Sequence, residues 1–107
     1  MSTEELIDNL ATKVEGKNNQ RNVTIFTLST CMWCKKCKRW LKDHDVEYRY
    51  VDVDKIQYSQ KSEIIDYLRE KYDNRISYPY MVLDGGDKTV VGYSPNKYEK
   101  ALGKGGE

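Results

Sequence analysis

The chain has 107 residues, a third of them charged, and its 18 lysines and arginines nearly balance 17 aspartates and glutamates. That length allows one domain with one core, and the balanced charge excludes the basic footprint of a nucleic-acid-binding protein. No apolar run approaches the ~20 residues that span a bilayer, and the N-terminus lacks the basic start and apolar stretch of a secretory signal. We therefore expect a cytoplasmic protein that binds neither nucleic acid nor membrane.

Residues 1–22 are predicted to form an N-terminal helix and a linker. Ser2 has the capping-box spacing to Glu5 that begins a helix over residues 2–16, and Gly16 is suited to its C-terminal end. The apolar residues of this helix share one face: Leu6, Ile7, Leu10 and Val14. A polar stretch, residues 17–22, follows as the linker. Residues 23–107 are then predicted to be one structural unit.

The rest of the chain alternates between strand and helix patterns. Runs rich in β-branched residues predict strands, and apolar residues at helical spacing predict helices. The predicted elements are, in chain order, strand 23–28, helix 32–44, strand 47–53, helix 59–72, strand 80–83, a hairpin turn at 84–87, strand 88–91 and a helix from Pro95 that ends before Gly103. A strand–helix–strand unit implies a parallel crossover. We therefore predict an α/β fold with a mixed four-stranded sheet flanked by helices and an extra N-terminal helix.

Three cysteines lie within seven positions: Cys31, Cys34 and Cys37. Such a cluster is not a structural disulfide framework, and in a reducing cytosol it is typical of catalytic or metal-binding proteins. Cys31 falls at the start of a helix, where the helix dipole favours a thiolate. Cys34 lies three residues on, hence on the same helical face, where it can attack a mixed disulfide formed on Cys31. We therefore predict a redox pair in which Cys31 attacks and Cys34 resolves, with no cofactor beyond their own disulfide.

A metal-binding module is the main alternative, with zinc or an iron–sulfur cluster held by the three cysteines. A structural zinc site needs four ligands, and His44 is the one histidine in the chain. It follows Cys37 by seven positions, too far along the helix for a compact site that includes Cys31. We therefore predict no metal ligands and interpret Cys37 as a core residue, because it shares a helical stripe with Leu41. His44, near the helix end, is interpreted as a cap or dipole partner.

Three segments together resemble the glutaredoxin family. They are Phe26–Cys34, Tyr50–Asp54 and Ser77–Pro79, within a similarity that runs from residue 23 to about residue 102. The resemblance implies a thioredoxin-like fold and thiol–disulfide oxidoreductase activity. It also implies a cis bond before Pro79, which would leave the Tyr78 backbone free to pair with an extended substrate segment.

Two departures separate the chain from glutathione-dependent glutaredoxins. Leu28 stands where those proteins usually carry a lysine that meets a glutathione carboxylate, and residues 91–95 replace the segment that leads into an acidic pair. Both changes remove charged partners for glutathione. Residues 92–95 look more like the glycine–aromatic–x–proline pattern of NrdH-type redoxins, which a dedicated reductase recharges. The resemblance thus favours an external reductase, thioredoxin reductase-like or ferredoxin-linked, over glutathione, although a glutathione-dependent mechanism on Cys31 alone stays open.

The NrdH resemblance also suggests the partners, namely disulfide-containing proteins with ribonucleotide reductase among them. Trp33 and Tyr78 are candidates for an aromatic rim that contacts such a protein, whereas Tyr80 would point the other way on its strand and belong to the core. We expect the chain to act as a monomer. The predicted substrate-binding residues are Met32, Trp33, Tyr78, Pro79, Gly92, Tyr93 and Ser94.

Overall fold

The computed structural model describes residues 3–19, 21–72, 76–83 and 88–102. The predicted helix start at Ser2 and the predicted hairpin turn at 84–87 lie outside these ranges. The described elements are α1 Thr3–Leu10, β1 Thr12–Val14, β2 Val23–Thr27, α2 Met32–Asp43, β3 Tyr48–Asp52, α3 Tyr58–Tyr72, β4 Tyr80–Leu83, β5 Lys88–Val91 and α4 Pro95–Leu102. From β2 onward, each element agrees with its predicted bounds to within one residue.

The strands form one mixed sheet in the order β1-β3-β2-β4-β5. The central strands β2 and β3 are parallel, with Ile25 opposite Tyr50, and α2 connects them as the predicted crossover. β4 is antiparallel to β2, and β5 is antiparallel to β4. The carboxyl ends of the two parallel strands therefore meet at one edge of the sheet, directly before α2 and before α3.

The predicted strand count of four was wrong, because the described residues form a five-stranded sheet. The additional strand, β1, lies within the segment predicted to be helical, since α1 ends at Leu10 rather than continuing to residue 16. Val14, which fits the helical stripe by its spacing, pairs with Tyr48 of β3 instead. A short edge strand of this kind is stabilised by a neighbour distant in sequence, which the local pattern does not reveal.

Gly16 and the predicted linker pack closely against the end of α2. A Cβ atom on Gly16 would lie 2.6 Å from the carbonyl oxygen of Asp45 and 2.7 Å from the amide nitrogen of Glu47. Asn18 then donates its backbone N–H to Asp45 and accepts one from Glu47, both at 2.9 Å. Gly16 thus permits a close backbone approach, and its predicted role as a helix stop was wrong.

Helices cover both faces of the sheet, which gives two buried clusters. Along β2 the side chains alternate, so that Ile25 packs with residues of α2 and α4, including Leu41 and Tyr98. Phe26 faces the other way and packs with residues of α1 and α3, such as Leu68. None of the described helices combines the length and the hydropathy needed to cross a membrane.

The extra N-terminal helix is confirmed, and it packs against α3. Its Ile7 belongs to the buried cluster on that side of the sheet. At the surface the Tyr67 hydroxyl donates a hydrogen bond to Glu4 at 2.9 Å. This contact face lies across the sheet from the core that α2 covers.

Candidate active site

Cys31 is the N-cap residue of α2. It has an extended backbone, and its Sγ accepts a hydrogen bond from the backbone N–H of Cys34 at 3.3 Å. Its own N–H donates to the Leu28 carbonyl at 3.1 Å, which closes the turn between β2 and α2. The first amides of a helix have no partner within the helix and form the positive end of its dipole. The sulfur of the half-buried Cys31 therefore lies where the helix start favours negative charge.

Cys34 lies one turn further along α2 and is fully buried. Its Sγ accepts a hydrogen bond from the backbone N–H of Leu28 at 3.5 Å. Burial above all, together with the hydrogen bond to Cys31, raises the pKa of the Cys34 thiol to about 12, although the Leu28 N–H acts in the opposite direction. The two thiols are therefore adjacent but unequal, since one is accessible and the other is held protonated beneath it.

Asp54 holds the turn that precedes Cys31, a role that the sequence analysis missed. One of its carboxylate oxygens accepts the Ser29 N–H at 2.9 Å, and the other accepts the Ser29 hydroxyl. These hydrogen bonds from Ser29 lower the pKa of the Asp54 carboxyl. The available signal was the position of Asp54 two residues after β3, because β3 and β2 are parallel and end at the same edge of the sheet.

The Tyr78–Pro79 peptide bond is cis, in agreement with the resemblance. The buried Pro79 accepts the Gly92 N–H on its carbonyl oxygen at 2.8 Å, which joins two of the predicted substrate-binding segments. Gly92 has φ +83°, a conformation that favours glycine. Burial raises the pKa of the Tyr78 hydroxyl, while the charge of Arg69 lowers it. The Tyr78 side chain packs against the same buried cluster as Leu28, which lies in the turn before Cys31.

Trp33 forms an exposed aromatic contact beside the thiols. Its ring stacks on Tyr93, with centroids 5.9 Å apart, and the Lys36 ammonium lies 4.6 Å from the centre of the Trp33 ring. Met32 and Trp33 remain 66% and 53% exposed, which is unusual for large apolar side chains. The structure thus pairs Trp33 with Tyr93. Ser94, the next residue, directly precedes α4, and its carbonyl oxygen accepts the Tyr98 N–H at 3.0 Å.

Tyr98 supports this segment from below and was also missed by the sequence analysis. Its hydroxyl donates to the Gly92 carbonyl at 2.8 Å, and its ring lies edge-on to Tyr93 at 6.0 Å. The same hydroxyl is hydrogen-bonded to the Cys37 thiol, and burial raises the pKa of Tyr98. The sequence gives only a weak signal for this role, because a tyrosine on an amphipathic helix is equally expected at an ordinary core position.

Cys37 and His44 take the structural positions that the sequence analysis assigned to them. Cys37 is fully buried in the cluster that includes Leu41, and burial raises the pKa of its thiol to about 11. His44 caps the C-terminal end of α2, where its Nδ1 is bonded to the Trp40 carbonyl at 2.8 Å and its ring stacks on that of Trp40. Within the described ranges, no three His, Cys, Asp or Glu side chains are grouped so as to hold a metal ion.

The sequence model of the glutaredoxin family matches residues 23–86, which is more than half of the chain. The chain belongs to the glutaredoxin family. The match spans the Cys31–Cys34 pair and the cis Pro79, and it leaves out the N-terminal helix and residues 92–95.

Solved structures of family members have the same architecture. The glutaredoxin from Methanosarcina mazei Go1 is 30% identical, with a TM-score of 0.74 and coverage of 87% of both chains. Methanoredoxin from Methanosarcina acetivorans is 32% identical, with a TM-score of 0.66 over 77% of this chain and 84% of that protein. The predicted thioredoxin-like α/β fold is thereby confirmed.

A curated relative also confirms the NrdH-like pattern of this glutaredoxin-family chain. The glutaredoxin-like protein NrdH of Lactococcus lactis subsp. cremoris (strain MG1363) is 34% identical over 32 residues. The matched stretch is 30% of this chain and 44% of that relative, so that the chain spans less than half the length of the curated protein. The family and the pattern are therefore established, whereas the substrates and partners of NrdH do not transfer with them.

Proposed function

We propose that this chain is a dithiol–disulfide oxidoreductase that reduces protein disulfides through Cys31 and Cys34. One observation carries the proposal. The half-buried Cys31 lies at the N-cap of α2, its sulfur accepts the Cys34 N–H, and the buried Cys34 thiol follows one turn further along. In this arrangement Cys31 can attack a partner first, and Cys34 is placed to react in a second step.

In the first step the Cys31 thiolate attacks one sulfur of a target disulfide. The target S–S bond breaks as a bond between Cys31 and the target forms, and the departing target sulfur leaves as a thiolate that takes a proton from water. The amide of Cys34 and the dipole of α2 stabilise the charge on Cys31 before attack. An extended target segment would pair with the backbone of Tyr78.

In the second step Cys34 displaces the target from Cys31. The Cys34 thiol loses its proton, its sulfur attacks Cys31 Sγ, and the second target sulfur leaves as a thiolate that is protonated in turn. Two electrons have then passed to the target, and the chain holds a Cys31–Cys34 disulfide. Since part of the rise in the Cys34 pKa comes from Cys31, formation of the mixed disulfide makes Cys34 easier to deprotonate when it is needed.

An external dithiol reductase is the proposed electron donor. Leu28, at the position of the usual glutathione-binding lysine, packs its side chain against the cluster that includes Phe26. It supplies no cation for a glutathione carboxylate. The donor would be thioredoxin reductase-like or ferredoxin-linked, and disulfide-containing proteins such as ribonucleotide reductase are the proposed targets. A reducing compartment, the cytoplasm, suits a site that must return to the dithiol form, and a single chain suffices because α2 carries both thiols.

Single-turnover reduction of a protein disulfide by prereduced chain tests the proposal. Mass spectrometry should find two target thiols released per wild-type chain together with a Cys31–Cys34 disulfide. The Cys34→Ser variant should stop at a mixed disulfide with the target, and Cys31→Ser should release no target thiol. Undiminished release by Cys31→Ser would contradict the assigned nucleophile. Full turnover of Cys34→Ser with glutathione as the reductant would instead support the glutathione-dependent mechanism.

A further inference from the structure

The positive charge of the chain is concentrated on the helix that carries the proposed site. Helix α2 has five lysines and arginines and one aspartate, whereas the rest of the chain has thirteen basic and sixteen acidic residues. Lys38 of this helix is paired with Asp52 at 3.1 Å, and Arg39 lies 3.9 Å from Asp43. Lys35 and Lys36 are exposed, and within the described part of the chain no carboxylate forms an ion pair with either.

The two lysines lie in the first turns of the helix that Cys31 caps. They follow Cys31 by four and five positions, which places their backbones about 6–8 Å further along the helix axis at ~1.5 Å per residue. That advance along the axis is shorter than the Debye length of about 10 Å at 0.1 M salt. Their charge therefore acts on a chain segment that lies along the start of α2 when it brings a disulfide to Cys31.

Apolar surface adjoins this charge. Three large apolar side chains are exposed among the described residues, and two of them, Met32 and Trp33, lie between Cys31 and Cys34. Trp33 stacks on Tyr93, with ring centroids 5.9 Å apart, and the Lys36 ammonium lies 4.6 Å from the centre of its ring. Because these contacts restrain Trp33 while 53% of it stays exposed, its remaining surface can pack on an apolar side chain of a partner at little cost in conformational entropy.

We infer that Met32, Trp33, Tyr93, Lys35 and Lys36 form a specificity surface, which rests on the proposed function. Its partner is a polypeptide segment with an acidic residue close to the target disulfide and an aromatic or aliphatic residue beside it. The lysines attract the acidic residue and speed the encounter, and the apolar residue packs on Trp33. Glutathione disulfide carries carboxylates but no apolar side chain. It can therefore interact with the lysines of this surface but has no group that packs on Trp33.

Disulfide-closed peptides that differ in one flanking position test the charge requirement. Three peptides carry Glu, Gln or Lys beside the same cystine, each with a neighbouring Phe, and single-turnover rates are measured with prereduced chain. We expect the Glu peptide to react about tenfold faster than the Lys peptide at low salt, the lower end of electrostatic steering. The ratio should approach one near 1 M salt, where the Debye length is about 3 Å.

A matched pair of double variants assigns the charge effect to the surface. The Lys35→Gln/Lys36→Gln variant should bring the Glu-to-Lys rate ratio close to one. The Lys17→Gln/Lys42→Gln variant removes the same charge at the far end of α2, where Asn18 is bonded to Asp45, and should keep the ratio. Because each rate is normalised to the Gln peptide, a general change in Cys31 reactivity cancels.

A second pair of variants tests the apolar part of the surface. A fourth peptide replaces Phe by Ala beside Glu, and the wild type should reduce it several-fold more slowly than the Phe peptide. Trp33→Ala should remove this difference. Tyr58→Ala, which alters the other exposed large apolar side chain, at the start of α3, should retain it. Glutathione disulfide should react more slowly than the Glu–Phe peptide.

The outcomes separate the inference from the function on which it rests. If prereduced wild type reduces none of the four peptides and no protein disulfide, the proposed function fails. If it reduces the Glu and Lys peptides equally at low salt, or if the preference survives in Lys35→Gln/Lys36→Gln, the charge requirement is overturned while the reductase stands. Equal rates for the Phe and Ala peptides, or for glutathione disulfide and the Glu–Phe peptide, overturn the apolar requirement.

Discussion

Cysteines at the start and in the middle of α2 lie in opposite environments. Cys31 caps the helix, is half-exposed and faces the Cys34 amide, whereas Cys37 is fully buried in the core and bonded to Tyr98. The two residues belong to one helix and lie six positions apart. Placement relative to the helix end and to the core, rather than residue type, therefore determines which thiol can react.

The geometry of the helix explains the difference. Each step of three residues advances about 4.5 Å along the axis and falls about 60° short of a full turn. From Cys31 through Cys34 to Cys37, the side chains therefore move away from the free amides of the first turn. They also rotate from the accessible edge towards α4. Cys34 is intermediate, since it is buried but still bonded to Cys31 and Leu28.

Alkylation rates should separate the two thiols most clearly. With iodoacetamide at pH 8, we expect a variant that retains only Cys31 to react at least about 100-fold faster than one that retains only Cys37. Cys37 is fully buried and its thiol has a pKa of about 11, and thiolate content and access both control the rate. In urea the two rates should converge. Comparable rates in the folded state would contradict the placement of Cys37 in the core.

Alkaline pH should destabilise the fold through the buried thiol. Burial raises the pKa of Cys37 from about 9 to about 11, so that the unfolded chain ionises first as pH rises. The contribution of Cys37 to stability is therefore complete below pH 9 and is lost as pH rises through 11. Two pKa units correspond to about 2–3 kcal/mol in the free energy of unfolding.

Urea unfolding of the wild type and of Cys37→Ala across pH 8 to 11 measures this effect. Burial also raises the pKa of Tyr48 and Tyr98, so that both proteins lose stability at high pH. The wild type should lose about 2–3 kcal/mol more than the variant. Parallel curves for the two proteins would show that the Cys37 thiol ionises as easily in the folded chain as in the unfolded one.

At neutral pH, Cys37→Ala should lower the stability of the fold and leave the rate of disulfide reduction nearly unchanged. Removal of a buried sulfur leaves a small cavity and removes a partner of Tyr98, for which we expect a loss of about 1–2 kcal/mol in the free energy of unfolding. The single-turnover rate should stay within about twofold of the wild type, because Cys31 and Cys34 are unchanged. A loss of turnover comparable to that of Cys31→Ser would make Cys37 a third redox thiol.

The contrast along α2 was predictable from the sequence, because it depends on local spacing. Cys31 follows a strand, and the three-residue step together with the stripe shared with Leu41 predicts both the pair and the buried Cys37. The β1 strand and the role of Gly16 were not predictable in this way. Both depend on contacts with Tyr48 and Asp45, more than twenty-five positions away.

The residues that support the site could not be predicted either, because their contacts also join residues distant in sequence or in different elements. Asp54 binds Ser29 across the ends of two parallel strands, and Tyr98 binds Gly92 across the start of α4. Asp54 ends a segment that carries the glutaredoxin resemblance, but the resemblance gives it no role, and Tyr98 belongs to no quoted motif. Each would suit an ordinary surface or core position. Local pattern thus predicts the proposed reacting groups, whereas the residues that hold them in place become visible in the tertiary structure.

Tyr98 contacts both the buried core around Cys37 and the Gly92 segment beside the proposed site. Its hydroxyl contacts the buried Cys37 and donates to Gly92, and the Gly92 N–H in turn is bonded to Pro79. Tyr98→Phe keeps the ring and removes these hydroxyl contacts, so that the Gly92 carbonyl loses its donor. We expect the free energy of unfolding to fall by about 1 kcal/mol and the KM for a protein disulfide to rise a few-fold with little change in kcat.

Tyr48→Phe provides the control for this smallest effect. Tyr48 is a buried tyrosine of the same cluster but lies on β3, with Val14 rather than the Gly92 segment as its neighbour. A general packing loss would lower stability in both variants and leave KM unchanged in both. An increase in KM confined to Tyr98→Phe would show that the core around Cys37 positions the surface that receives the substrate. An unchanged KM in Tyr98→Phe would mean that the core around Cys37 does not influence how the surface beside Cys31 binds a substrate.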